Sequence, residues 1–160
     1  MRNVGIIAVG KLKERWMQQG CAEYSKRLQG WCDCTVTEID EYRLADNPTP
    51  AQIAECLEKE GERILAKIPR GALVIAMCIE GRQLSSEGLA QYIQDTALMG
   101  NSSLTFVIGG SYGLSPQVKQ RAALRLSISP MTFPHQLARV LLFEQIYRAF
   151  SINANAKYHK

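Results

Sequence analysis

A chain of 160 residues is long enough for one domain with a real hydrophobic core. A hydrophobic content of 46% and a charged content of 21% exclude a disordered or fibrous chain. The longest apolar run, Ala72 to Ile79, is far too short to span a bilayer. The net charge of +4 is unevenly spread. Met1 to Asp95 carry 12 Lys/Arg against 14 Asp/Glu, whereas Thr96 to Lys160 carry 7 against the single acid Glu144. A polyanion is the natural partner for that basic last third.

In chain order, Asn3 to Val9 reads as a buried strand ended by Gly10. Glu14 to Leu28 reads as a helix, with Met17, Cys21, Tyr24 and Leu28 recurring on one face. Nothing before it reads as a signal peptide, so the expected location is the cytoplasm. Cys34 to Ile39 forms a short strand and Asp40 to Thr49 a polar loop. Thr49-Pro50-Ala51-Gln52 opens a helix that reaches Lys67, with Thr49 as cap and Gln52 completing a capping box. Gly61 inside that helix costs roughly 1 kcal/mol relative to Ala, which implies a close contact there.

Leu73 to Ile79 has the continuous apolar character of a strand covered on both faces. Glu80-Gly81-Arg82 leaves it, and Ser85 or Ser86 caps a helix reaching Met99. The strand Leu104 to Ile108 follows, then Gly109-Gly110-Ser111-Tyr112-Gly113, a short helix from Pro116 capped by Ser115, and a strand over 124–128. Pro130-Met131-Thr132-Phe133-Pro134-His135 leads into a last helix from about Gln136 to Phe150. The ten residues after it, ending Tyr158-His159-Lys160, are of a kind that normally frays. Five β-α repeats with no linker predict a single α/β domain over 1–160, a mostly parallel sheet with helices on both faces.

The five cysteines are odd in number and lack C-x-x-C spacing, and the two histidines both lie near the carboxyl end. That argues against a metal site and for reduced thiols in the core. Cys32 and Cys34 are expected on opposite strand faces. A nicotinamide-binding Rossmann domain is disfavoured, because the first turn holds only Gly10 and no acid follows the later glycine turn at the required distance.

Glycines after a strand let backbone groups approach a ligand, and the two prolines stiffen Met131-Thr132-Phe133. Together they predict a preformed pocket for a flat, partly polar small molecule. His135 and Arg139 flank it, each readable as an ordinary surface or helix-start residue or as a functional one; the adjacent loop favours function. Glu144 is placed to pair with Arg139 or Arg148.

VIGGSYGL, SPMTFPHQLARVLLFEQIYRAF and the terminal YHK, with IIAVGKLKE, KEGERILAKI and LSSEGLAQ, resemble the RlmH (YbeA-type) branch of the SPOUT methyltransferases along essentially the whole chain. The resemblance implies a carboxyl-terminal trefoil knot, and S-adenosylmethionine as cofactor held by Met77, Gly109, Ile128, Ser129, Pro130, Met131, Thr132 and Phe133. It implies methylation of N3 of a pseudouridine in 23S ribosomal RNA, on the ribosome, by a homodimer paired through the last helix. His135, Arg139, Tyr158 and His159 are the candidates for stabilising the charge that develops on the base. Arg148 and Lys160 are the candidates for holding phosphate. No cysteine is expected in the site, and no metal, DNA or membrane partner. The competing reading is a non-enzymatic ribosome- or RNA-binding module, which would not need the small-molecule pocket.

Overall fold

The computed structural model describes residues 1–160. Five strands, β1 (Asn3–Val9), β2 (Asp33–Ile39), β3 (Leu73–Gln83), β4 (Ser103–Ile108) and β5 (Leu124–Ser127), form one sheet in the order β2-β1-β4-β3-β5. Every pairing is parallel. Five helices alternate with them: α1 (Arg15–Leu28), α2 (Pro50–Lys67), α3 (Ser86–Leu98), α4 (Pro116–Arg121) and α5 (His135–Asn153).

Alternation within each strand divides the core in two. Val4, Ile6 and Ala8 of β1, with Leu104, Phe106 and Ile108 of β4, face α1, α3 and α5. Ile7, Val9 and Val107 face α2 and α4, where Ile64 and Val118 meet them. The sheet is therefore covered on both sides, as its unbroken apolar strands require.

Helix starts follow local chemistry. Thr49 accepts from the Gln52 amide at 3.2 Å while the Gln52 side chain accepts from the Thr49 amide at 2.8 Å, a complete capping box. Ser85 caps α3 and Ser115 caps α4. The contact implied by Gly61 is with the next helix: an added Cβ would lie 2.4 Å from Ser115 Oγ. Glycine is what lets α2 lie directly against the start of α4.

Two expectations are corrected. Cys32 and Cys34 both pack toward the α1/α3/α5 core, because residues two apart in an extended chain share a face. The third strand continues past Ile79 to Gln83, because it pairs with β5 twice. Leu126 is the partner of Met77 and, beyond an irregularity, of Arg82. At Gly81 an added Cβ would come within 2.8 Å of the Arg125 backbone, so β3 and β5 lie backbone to backbone there.

Candidate active site

In a parallel sheet the loops leaving the carboxyl ends of the strands gather on one edge, where ligands bind. Here the second half of β3 and the loops after β4 and β5 enclose a cavity of about 670 Å³, within the range of small-molecule sites. Met77, Gly109, Ile128, Ser129, Met131, Thr132 and Phe133 all line it, and so does His135. Pro130 does not; it is an exposed residue of the same loop.

The glycine loop has a fixed shape. Gly113 takes φ +87°, a left-handed conformation that favours glycine, and its N–H donates to the Gly110 carbonyl at 3.1 Å. A Cβ on Gly109 would stand 2.2 Å from the Gly113 carbonyl oxygen. The loop after β5 is held by its own serines: Ser127 Oγ donates to the Ser129 carbonyl and the Met131 amide donates to Ser129 Oγ, both at 3.0 Å. Ile108, Leu114 and Leu126 supply apolar wall, while the two loops present backbone. That mixture fits S-adenosylmethionine: a flat base against apolar side chains, with polar groups read by amides and carbonyls.

His135 opens α5 at the cavity rim. Burial is the main cause that lowers its pKa, helped by the positive charges of Arg139 and Lys13 and opposed by Glu41. Arg139 is 3% exposed and does not line the cavity. Its guanidinium donates to Glu38 Oε2 at 2.6 Å and to the Gly10 carbonyl at 3.1 Å, leaving Nε buried without a partner. It ties the first turn of α5 to the ends of β1 and β2.

Tyr158, His159 and Arg148 gather elsewhere, at the far end of α5. Tyr158 donates to Glu144 Oε2 at 2.8 Å, and Arg148 pairs with the same carboxylate at 2.6 Å. Glu144 thus takes Arg148 rather than Arg139. An Arg148 N–H points to His159 Nδ1 at 3.2 Å. Arginine has no acceptor, so Nε2 of His159 carries the hydrogen and donates to Glu87 at 2.7 Å. Tyr158 also packs edge-on against Tyr147, with ring centroids 4.7 Å apart. The tail is held in place, and Lys160 extends exposed beyond it.

Sequence reasoning missed Cys78, Ile79 and Glu80, which line the cavity because β3 bends across β5. Cys78 corrects the expectation that every cysteine lies outside the site. Burial raises the pKa of its thiol, so it lines the wall as a neutral group. Burial likewise pushes Cys21, Cys34 and Cys56 up to about 11 and Cys32 to about 12. Glu60 was missed too. It is buried on α2 beneath the glycine loop, accepts the Tyr42 amide at 2.9 Å, and has its pKa raised chiefly by burial. Its sequence signal was slight, since it is one of four acids on α2, with Glu55, Glu58 and Glu62, and is set apart only by its place next to Gly61.

Five parallel strands covered on both faces, with a ligand-sized cavity formed by the second half of β3 and the loops after β4 and β5, define the class. The chain belongs to the SPOUT methyltransferase family, whose model, described as "Predicted SPOUT methyltransferase", matches residues 2–159. Proteins called "Ribosomal RNA large subunit methyltransferase H" are similar over nearly their whole length. The one from Carboxydothermus hydrogenoformans is 50% identical over 98% of this chain and 99% of its own. Those from Bifidobacterium animalis subsp. lactis and Ligilactobacillus salivarius are 51% and 49% identical, over 99% of both chains. A solved structure, a probable methylase family protein from Haemophilus influenzae Rd KW20, shares the fold with a TM-score of 0.54 at 15% identity. It is matched over 99% of this chain and 71% of that one.

Proposed function

We propose that this protein methylates N3 of a pseudouridine in 23S ribosomal RNA, on the ribosome, using S-adenosylmethionine and working as a cytoplasmic homodimer. The observation that carries the reading is the cavity framed by Met77, the Gly109–Gly113 loop and residues 128–133, with His135 at its rim. A ribosome-binding module without catalysis would have no use for it. The large-subunit ribosomal RNA methyltransferases that resemble this chain supply the substrate class.

S-adenosylmethionine, when bound, supplies a methyl group on a positively charged sulfur, which transfers to N3 by in-line displacement as the N3 proton departs. Such a reaction needs positioning more than a covalent nucleophile, which suits a site whose one thiol is held protonated. The backbone of the two loops orients the cofactor, and Ile108, Leu114 and Leu126 keep water from its apolar side. His135, kept neutral near pH 7, offers a hydrogen bond to the base and a place for its proton. Arg139 acts as a positioning residue, holding the turn that carries His135.

Tyr158 and His159 serve the partner's cavity in this reading. The 19 residues of α5 span about 28 Å. The seven residues beyond Asn153 reach at most about 25 Å when extended. Running straight back along its own helix, the tail stops short of its own His135. Leu137 and Leu141, one turn apart on α5, stay half-exposed and outside both cores, and Trp16 on α1 is 56% exposed. An antiparallel pairing of two α5 helices about a two-fold would cover such a surface and set each tail beside the partner's His135. Arg148 and Lys160 then stand where they can take phosphate. The trefoil knot belongs to the same reading, supported by the passage of β5 against both halves of β3 at Gly81.

Calorimetric titration with S-adenosylmethionine, followed by transfer of a labelled methyl to large ribosomal subunits from cells lacking the gene, tests the proposal. Saturable binding and transfer are expected. Binding of RNA with no cofactor heat and no transfer would overturn it.

A further inference from the structure

The turn after β1 carries cations that line no part of the cavity described above, although the charge of Lys13 is felt by His135. Lys11, Lys13 and Arg15 are exposed, and none has a carboxylate within 4 Å. The backbone that carries them is nevertheless tightly held. Gly10, at φ +83°, donates its N–H to the Ile39 carbonyl at 2.8 Å, and its carbonyl accepts from Arg139 at 3.1 Å. The Lys13 amide donates to Gln136 Oε1 at 3.0 Å, and Gln18 Nε2 donates to the Leu12 carbonyl at 2.7 Å. Leu12 itself packs against the core.

The turn also has a defined place. On one side it meets the first turn of α5, at the residue next to His135. On the other, Val9 touches the glycine loop: a Cβ added at Gly110 would lie 3.2 Å from Val9 Cγ1. The lysines therefore stand beside the cavity, between two of its walls, without lining it. No acid nearby is paired with them, Glu14 between Lys13 and Arg15 included. Glu38 is committed to Arg139, and Glu41 is the acid felt by His135. Unpaired ammonium groups on an ordered turn at the rim of a site fit an anion that runs past the site. A small phosphate inside the cavity would not meet them, because both side chains lie outside its lining.

We propose that Lys11 and Lys13, presented by the β1–α1 turn beside His135, hold the phosphate backbone of the RNA strand next to the target base. The proposal deepens the function argued above and rests on it. It places part of the RNA footprint in the half of the chain whose net charge is negative, where charge counting alone would not look.

The test compares the Lys11→Gln/Lys13→Gln double variant with wild type in binding to purified large ribosomal subunits over a series of salt concentrations. Lys67→Gln/Arg70→Gln, with the same charge loss at the opposite edge of the sheet, is the control. Each lost phosphate contact lowers the slope of log affinity against log salt by about 0.7 to 0.9. The expected result is a slope reduced by about 1.5, affinity at low salt weakened about tenfold or more, and a raised KM for subunits. Melting temperature and the calorimetric affinity for S-adenosylmethionine should match wild type. A slope and affinity equal to those of wild type or of the control would overturn the proposal. Failure of the wild type to transfer methyl would instead strike the functional reading, because the salt comparison needs no turnover.

Discussion

Gly109 shows how a single missing atom sets the shape of the cavity. The sequence reads it as a place where ligand meets backbone, yet the space a Cβ would enter already holds the Gly113 carbonyl, 2.2 Å away. Glycine is required first by the loop and only through it by the ligand. Gly109→Ala should open the Gly110–Gly113 bridge and weaken S-adenosylmethionine binding by more than tenfold, about 1.4 kcal/mol or more. Unchanged calorimetric affinity would contradict this.

His135 makes a pH prediction. Its pKa is lowered in the folded chain, chiefly by burial, from an ordinary value near 6.5. Below about pH 6.5 the unfolded chain binds a proton that the folded one refuses. Stability should therefore be full above that pH and fall as acidity rises toward the folded pKa. In urea melts between pH 7 and pH 5, wild type should lose stability relative to His135→Gln as the pH falls; parallel curves would mean that the histidine titrates normally.

Arg139→Met should cost a few kcal/mol, toward the lower end of the roughly 3–5 that breaking a buried pair costs, because Glu38 keeps contact with water. It should also lower methyl transfer by loosening the turn under His135. Loss of transfer with melting unchanged would mean that Arg139 acts on substrate directly. At this scale the lining loops were legible, because strand–glycine and proline–proline patterns mark them. Cys78 to Glu80 were not, because the apolar run ends at Ile79 and the bend across β5 is made by tertiary pairing.

Among the elements, α2 and α4 are joined by an absence of atoms. Gly→Ala in a helix interior ordinarily gains up to about 1 kcal/mol. At Gly61 the new methyl would meet Ser115 Oγ at 2.4 Å and Cβ at 3.1 Å, so the sign should reverse. Gly61→Ala should destabilise by about 1–3 kcal/mol in urea melts. Ser115→Ala alone should cost about 1 kcal/mol through its cap. The double variant should lose less than the sum, since removing the hydroxyl makes room. A stabilised Gly61→Ala would refute the packing account. Helix starts were readable to within a residue, because Thr49, Ser85 and Ser115 carry their own hydrogen-bonding signal. The extent of β3 depended on a distant partner and could not be read locally.

For the whole molecule, alternation of strands and helices was enough for a parallel sheet covered on both faces. The strand order β2-β1-β4-β3-β5 was not legible, because it depends on pairings between residues far apart in the chain. Nor was the anchoring of the tail, where Tyr158 and His159 reach Glu144 and Glu87 across folded helices. Mixed dimers test what that tail does. One subunit lacks Lys157 to Lys160 and the other carries Gly109→Val. If each tail completes the partner's cavity, one site keeps both parts and about half the activity should remain. If each tail serves its own cavity, both sites fail and activity should vanish.

The central claim is the reaction itself, and mass spectrometry of 23S ribosomal RNA from cells with and without this gene tests it most directly. The account predicts one pseudouridine carrying a methyl on N3 in the first RNA and bare in the second, with the methyl restored by the purified protein and S-adenosylmethionine. Identical RNA from both strains, or a methyl missing from another nucleotide, would contradict it.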